Sequence, residues 1–233
     1  MEGMDKLLDK LGFYDLIGVL LPGIIAMSFS IMADKMIFHT ALSEYISTND
    51  TFLFLIVSYF VGVLLQELGS IIMKHYDKGN IVLMKALEEK EGKRDSITHQ
   101  EKTLFRNAIK DSFPEAGDGL NWVLMYDYCK HSGGNSSSAE KDHSVAAMSR
   151  SMGLYFGLLS IALFVKFIYI WIASDNFTIN YCERISIIAI PFAVILVMGI
   201  SLLMWYRSFR FYKIRYIRII RNYYYNYINN RKN

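Results

Sequence analysis

Residues 185–206 read ISIIAIPFAVILVMGISLLMWY, a run without one charged side chain. At 1.5 Å of rise per residue, such a run is long enough to cross the ~30 Å hydrocarbon core of a bilayer. Soluble helices bury one apolar stripe, whereas this segment is apolar all round. Working outward, three more stretches have the same character: about Phe13–Met32, Phe52–Met73 and Met152–Ala173. Of the 233 residues, 53% are hydrophobic and 15% aromatic, and the mean hydropathy is +0.22. The opening MEGMDKLLDK is mixed in charge rather than basic, and no clear cleavage site follows it, so the first stretch reads as a retained span.

These stretches predict an all-α integral membrane protein with four transmembrane helices. A small helical cytoplasmic insertion lies between helices 2 and 3, and a basic amphipathic helix ends the chain. The expected boundaries are a first transmembrane hairpin at 1–73, a helical cytoplasmic domain and stalk at 74–150, a second hairpin at 151–206, and a basic aromatic tail at 207–233.

Lysine and arginine set the expected orientation, because they accumulate on the cytoplasmic side of a span. The stretch between the first two spans carries only Lys35, and that between the last two only Arg184. Lys6, Lys10, Lys74, Lys78, Lys141, Arg150 and the tail lie on the other side, which places both termini in the cytoplasm of a bacterial inner membrane. Tyr169, Trp171, Trp205 and Tyr206 fall near span ends, where aromatic belts form. This topology separates Cys129 from Cys182 and excludes a disulfide between them within one chain.

Residues 74–150 carry charges of both signs and no persuasive strand alternation. IVLMKALEEKE (81–91) has good helix formers. THQEKTLFRNAIKDSF (98–113) opens with Thr98 and Glu101 at capping-box spacing and presents Leu104, Phe105, Ala108 and Ile109 on one face. LNWVLMYDYCKH (120–131) is a short aromatic helix, and SGGNSSS (132–138) has a flexible-linker composition. Ser137 and Glu140 form a second capping box, and no breaker follows before the third span, so one helix is expected to run from the cytoplasm into the membrane. Trp122, Tyr126 and Tyr128 have two readings: a surface that docks a partner, or the filling of a small core.

Ionisable groups in hydrocarbon cost roughly 2.5–3.5 kcal/mol each and need an explanation. Asp15, Gln66, Glu67 and Lys166 are the intramembrane polar residues. Asp15 lies close to the inner interface, and Lys166 can extend outward to the other one. Helical rise separates Lys166 from Glu67 by roughly 10 Å in depth, which argues against an ion pair between them. Glu67 faces other helices, a water-filled cavity or its copies in an oligomer. A polar contact between helices is the favoured reading, and a cation-selective carboxylate ring is the other. Ser149, Gly153, Gly157 and Ser160 form a small-residue face that includes a GxxxG pattern, suited to close helix packing within the chain or between copies. Pro22–Gly23 and Pro191 read as kinks.

In the tail, Arg207, Arg210, Arg215, Arg218 and Arg221 share one broad helical face, with Lys213 outside it. Phe209, Tyr212, Tyr216, Ile219, Ile220, Tyr223 and Tyr227 occupy the opposite face. Lipid headgroups and nucleic-acid phosphates attract the same cations, but only lipid calls for an apolar face as well. The favoured reading is therefore a membrane foot, and direct nucleic-acid binding is the lesser one. The net charge of +3 adds no argument for nucleic acid.

His39, His75, His99, His131 and His143 show no metal-ligand spacing, and the chain has no GxSxG, phosphate loop or HExxH pattern. No catalytic residue, metal or cofactor is expected, and the chain reads as a non-enzyme.

FYDLIGVLLPG (13–23), with Asp15, Gly18, Pro22 and Gly23, looks like the start of many small bacterial membrane proteins. The four-span layout with cytoplasmic ends resembles the membrane subunit of the Kiwa anti-phage system. That resemblance implies a homo-oligomeric membrane component working with a soluble partner that acts on phage DNA. The expected function is thus a membrane sensor or scaffold that contacts lipid, self-assembles and docks a soluble cytoplasmic protein. A small ion channel or membrane-permeabilising effector is the alternative.

Overall fold

The computed structural model describes residues 16–34, 51–76, 98–112, 122–134, 137–174 and 181–232. Among these the fold is helical throughout, and four helices are long and apolar enough to span a membrane: Leu16–Ala33, Thr51–His75, Ser137–Ile172 and Ala189–Asn229. In chain order, α1 is Leu21–Ala33, preceded by a π-helical turn at Leu16–Leu20, and α2 is Thr51–Tyr76. Next come α3, His99–Ser112, and α4, Trp122–Cys129, which is followed by a second π-helical turn at Lys130–Gly134. The long helices α5, Ser137–Ser174, and α6, Tyr181–Lys232, complete the order.

Local chemistry explains several boundaries. Pro22 has no N–H and its ring crowds the carbonyl four residues back; it stands in the first turn of α1, directly after the π-helical turn at Leu16–Leu20. At α3 the expected capping box forms: the Thr98 N–H donates to Glu101 Oε2 at 2.9 Å, and the Glu101 N–H donates to Thr98 Oγ1 at 3.1 Å. The helix of α5 is unbroken from Ser137 to Ser174, as its sequence predicts. Residues 132–134, expected to be linker, continue α4 as π-helix instead. The expected helix at 81–91 lies outside the described residues.

The chain forms two compact units. The apolar unit comprises residues 16–69 and 147–208; the polar one joins residues 70–146 to residues 209–233. Central segment and tail, read from sequence as separate pieces, therefore belong to one body. Three helices, α2, α5 and α6, contribute residues to both units.

In the apolar unit, α1 and α2 meet backbone to backbone. A Cβ at Gly23 would collide with the Ser58 carbonyl oxygen, and one at Gly62 with the Val19 carbonyl oxygen. Only hydrogen at these positions permits the approach. The contact between α1 and α5 is aromatic and polar: the Phe29 and Phe156 rings pack edge to face at 5.7 Å, and Ser30 Oγ hydrogen-bonds Tyr155 Oη at 3.1 Å. The core of the polar unit is a cluster of Tyr126, Cys129, Ala139, Ile217, Ile219, Ile220 and Tyr223.

Candidate functional site

The tail settles what surrounds its own two faces. Ile219 is fully buried, and Ile217, Ile220 and Tyr223 are at most 5% exposed. Tyr216 packs its ring edge to face on Tyr126 at 4.8 Å, and Tyr223 packs on Tyr128 at 5.7 Å. The apolar face expected to lie on lipid is thus occupied by α4 and the start of α5. Of the three aromatics proposed for docking, Tyr126 belongs to this core and Tyr128 is half-buried against it; Trp122 lies in α4, and its side chain is outside the described residues.

The basic face of the tail is engaged too. Arg221 donates from Nε to Glu101 Oε1 at 2.9 Å and from Nη2 to Oε2 at 3.3 Å. Arg218 Nη1 lies 2.9 Å from Asp142 Oδ2, an ion-pair contact outside hydrogen-bond angles, and donates to the Ser138 hydroxyl. Arg215 Nη1 donates to His143 Nδ1 at 2.9 Å, which places the imidazole proton on Nε2. Tyr227 donates to Asp111 Oδ2 at 2.5 Å. Arg207, in the apolar unit, and Arg210, in the polar one, are exposed, and Lys213 is half-buried.

Glu101 combines two tasks, capping α3 and holding Arg221. Burial raises its carboxyl, but hydrogen bonds and charge from Arg221 and the bonds to Thr98 outweigh this, so it sits below its ordinary value of 4.5. Burial pushes the Cys129 thiol up to about 12. A thiol held protonated and shielded from solvent is a packing group rather than a nucleophile.

In the apolar unit the small-residue face of α5 packs within the chain. Ser149 is fully buried, Ser160 is 5% exposed, Gly153 is buried and Gly157 half-buried. A Cβ at Gly153 would come within 2.9 Å of Trp205 Cδ1, and one at Gly157 within 3.3 Å of Ser201 Oγ. Ser201 Oγ donates to the Gly153 carbonyl at 2.7 Å. The GxxxG pattern thus receives α6, and Trp205 serves this packing as well as any interfacial belt. Lys166 stands 5.7 Å over the Tyr169 ring, one turn further along α5. Arg150 is 4% exposed, with its aliphatic stem laid against Gly69 of α2. Gln66 is half-buried and Glu67 is exposed on α2, whereas Asp15 lies outside the described residues.

Sequence reasoning missed the partners of Arg215, Arg218 and Arg221. The three-residue spacing of these arginines was visible, but the groups they meet are 72 to 120 residues away. Among the described residues no group of three or more histidine, cysteine or carboxylate side chains is placed to hold a metal. No family model, curated protein or solved structure matches the chain.

Proposed function

We propose that the chain is a multi-pass component of a bacterial inner membrane, with both termini in the cytoplasm, that senses a membrane event or anchors a soluble cytoplasmic protein. In this reading it self-assembles, does no chemistry of its own and serves an anti-phage complex. The observation that carries it is the sharing of α2, α5 and α6 between an apolar unit and a polar unit: continuous helices leave the span-forming part and build a separately cored body. The lysine and arginine distribution supports the orientation, and the defence setting rests on the resemblance in layout. Because Tyr126 is buried and Tyr128 packs its ring against the same cluster, docking falls in this reading to the outer surface of the polar unit.

A small homo-oligomeric channel is the second reading, and the exposed carboxylate of Glu67 on α2 favours it. One experiment separates the two: affinity capture of the full chain from its native membranes in detergent, with and without infection. A soluble protein recovered in fixed ratio supports the anchor. The chain recovered alone as a defined oligomer favours the channel, and ion flux with Glu67→Gln then decides the role of that carboxylate.

A further inference from the structure

The arginines of the tail meet partners of two kinds. Arg218 faces Asp142 of α5 and Arg221 is held by Glu101 of α3, so each of these guanidinium groups has a carboxylate of opposite charge. Arg215, one turn earlier on α6, has instead the imidazole of His143 on α5, with Nη1 2.9 Å from Nδ1. Among the described residues no carboxylate pairs with Arg215, and its Nε is buried without a hydrogen-bond partner. Tyr126 of α4 also stands near it. Burial raises that phenol above its ordinary 10.0, against the charge of Arg215, so it supplies no anion.

A guanidinium only donates, so the bond needs an unprotonated Nδ1 and hence a neutral ring. A proton at Nδ1 removes the acceptor and sets an imidazolium against a guanidinium, two cations at hydrogen-bond distance in a half-buried contact. The Nε2–H donates alike from the neutral and the charged ring, so only the Nδ1 side changes. The other titratable groups around the ring offset the new charge weakly. Tyr212 of α6 is buried and packs edge to face on it at 6.0 Å. Glu140, one turn back on α5, is exposed, where water and salt screen it, and Asp142 is occupied by Arg218.

We infer that His143 is a proton-operated latch of the polar unit: neutral, it ties the tail to α5 through Arg215; protonated, it repels Arg215 and loosens the tail from α5 and α4. Imidazole changes charge near neutral pH, with an ordinary value of about 6.5. The unfolded chain takes up that proton freely, and the closed unit only by breaking the bond. The tie is therefore present above about pH 6.5 and is lost as pH falls below it. Proton entry through a breached membrane then becomes the membrane event of the proposed function, and to that extent the inference rests on that reading. The latch itself belongs to the chain and needs no partner.

The test is the labelling rate of Cys129, which lies in the cluster that the tail closes, in the full chain with Cys182→Ser in detergent. The reagent is 4,4′-dithiodipyridine, which reacts with thiols in acid as well as at neutral pH, and each rate is divided by that of glutathione at the same pH. From about pH 7.5 to about pH 5.5 this ratio is expected to rise about tenfold, and to fall back when the pH is restored. Asparagine keeps an acceptor at the place of Nδ1 and takes no proton, so His143→Asn is expected to stay closed and flat across this range. Arg215→Leu removes the cation that the imidazolium would face, so its profile is expected to be flat as well. His99→Gln and His131→Gln, at exposed rings, should keep the tenfold rise. Should His143→Asn open the unit at every pH, Arg215→Leu decides. No rise in the unsubstituted chain, a rise that does not reverse, an undiminished rise in His143→Asn or Arg215→Leu, or a rise abolished by His131→Gln overturns the inference. Rapid labelling of both latch variants at about pH 7.5 marks a fixed structural tie and overturns it too. None of these outcomes bears on capture of a soluble protein from native membranes, which tests the anchoring reading separately.

Discussion

If the tail is the core helix of the polar unit, Ile219→Ala should open that unit, and Cys129 should report the opening. Both side chains are fully buried in one cluster with Tyr126 and Tyr223. Truncating a fully buried isoleucine to alanine removes apolar burial and leaves a cavity, at a cost of about 3 kcal/mol. Since 1.4 kcal/mol is a factor of ten, the open fraction rises about a hundredfold. Cys129 in the closed unit is inaccessible and held protonated, with its thiol pushed up to about 12, so reaction with a maleimide at pH 8 proceeds only through openings. The assay is the Cys129 labelling rate in the full chain carrying Cys182→Ser, in detergent, with reclosing faster than labelling. Ile219→Ala should accelerate it about a hundredfold. Tyr225→Ala, on the same helix but at a side chain 59% exposed, should change it less than about threefold. Equal acceleration by both substitutions, no acceleration by Ile219→Ala, or rapid labelling of the unsubstituted chain would refute a tail packed against α4.

Glu101→Gln should lower the melting temperature of the polar unit at pH 7, because the Arg221 pair is weakened. The folded carboxyl titrates below its ordinary value of 4.5, so its stabilisation is present above that pH and fades as pH falls through the lower folded value. Melting followed from pH 7 to pH 3 should therefore show a decline below about pH 4.5 that is shallower in Glu101→Gln. Gly62→Val forces α1 and α2 apart at the Val19 carbonyl and should destabilise the apolar unit by about 3 kcal/mol, read by the SDS fraction needed for unfolding in mixed micelles. Ser201→Ala removes the hydrogen bond to the Gly153 carbonyl and should cost about 1 kcal/mol in the same assay; a cost near that of Gly62→Val would contradict the weighting given to backbone approach.

Two local readings held, whereas residues 132–134, read as linker, are π-helix. Thr98 and Glu101 cap a helix because their spacing alone brings side chain and backbone together, and α5 runs from Ser137 to Ser174 because nothing between them breaks a helix. The two faces of the tail were also visible, since both are set by the period of one helix. Their occupants were not. Arg221 meets Glu101 across 120 residues, and no local pattern specifies that pairing.

The sequence by itself determined that the chain is helical, with four segments able to cross a bilayer, because hydrophobic length and helix period are properties of contiguous residues. Only the tertiary structure decided that the basic tail folds into one unit with the central segment, that Tyr126 is core with Tyr128 packed against it, and that Gly153 receives Trp205 of α6. An apolar face buries equally well against lipid, another helix or a second copy. Which of these it meets is fixed by the positions of distant parts of the chain, and those positions are carried by the fold.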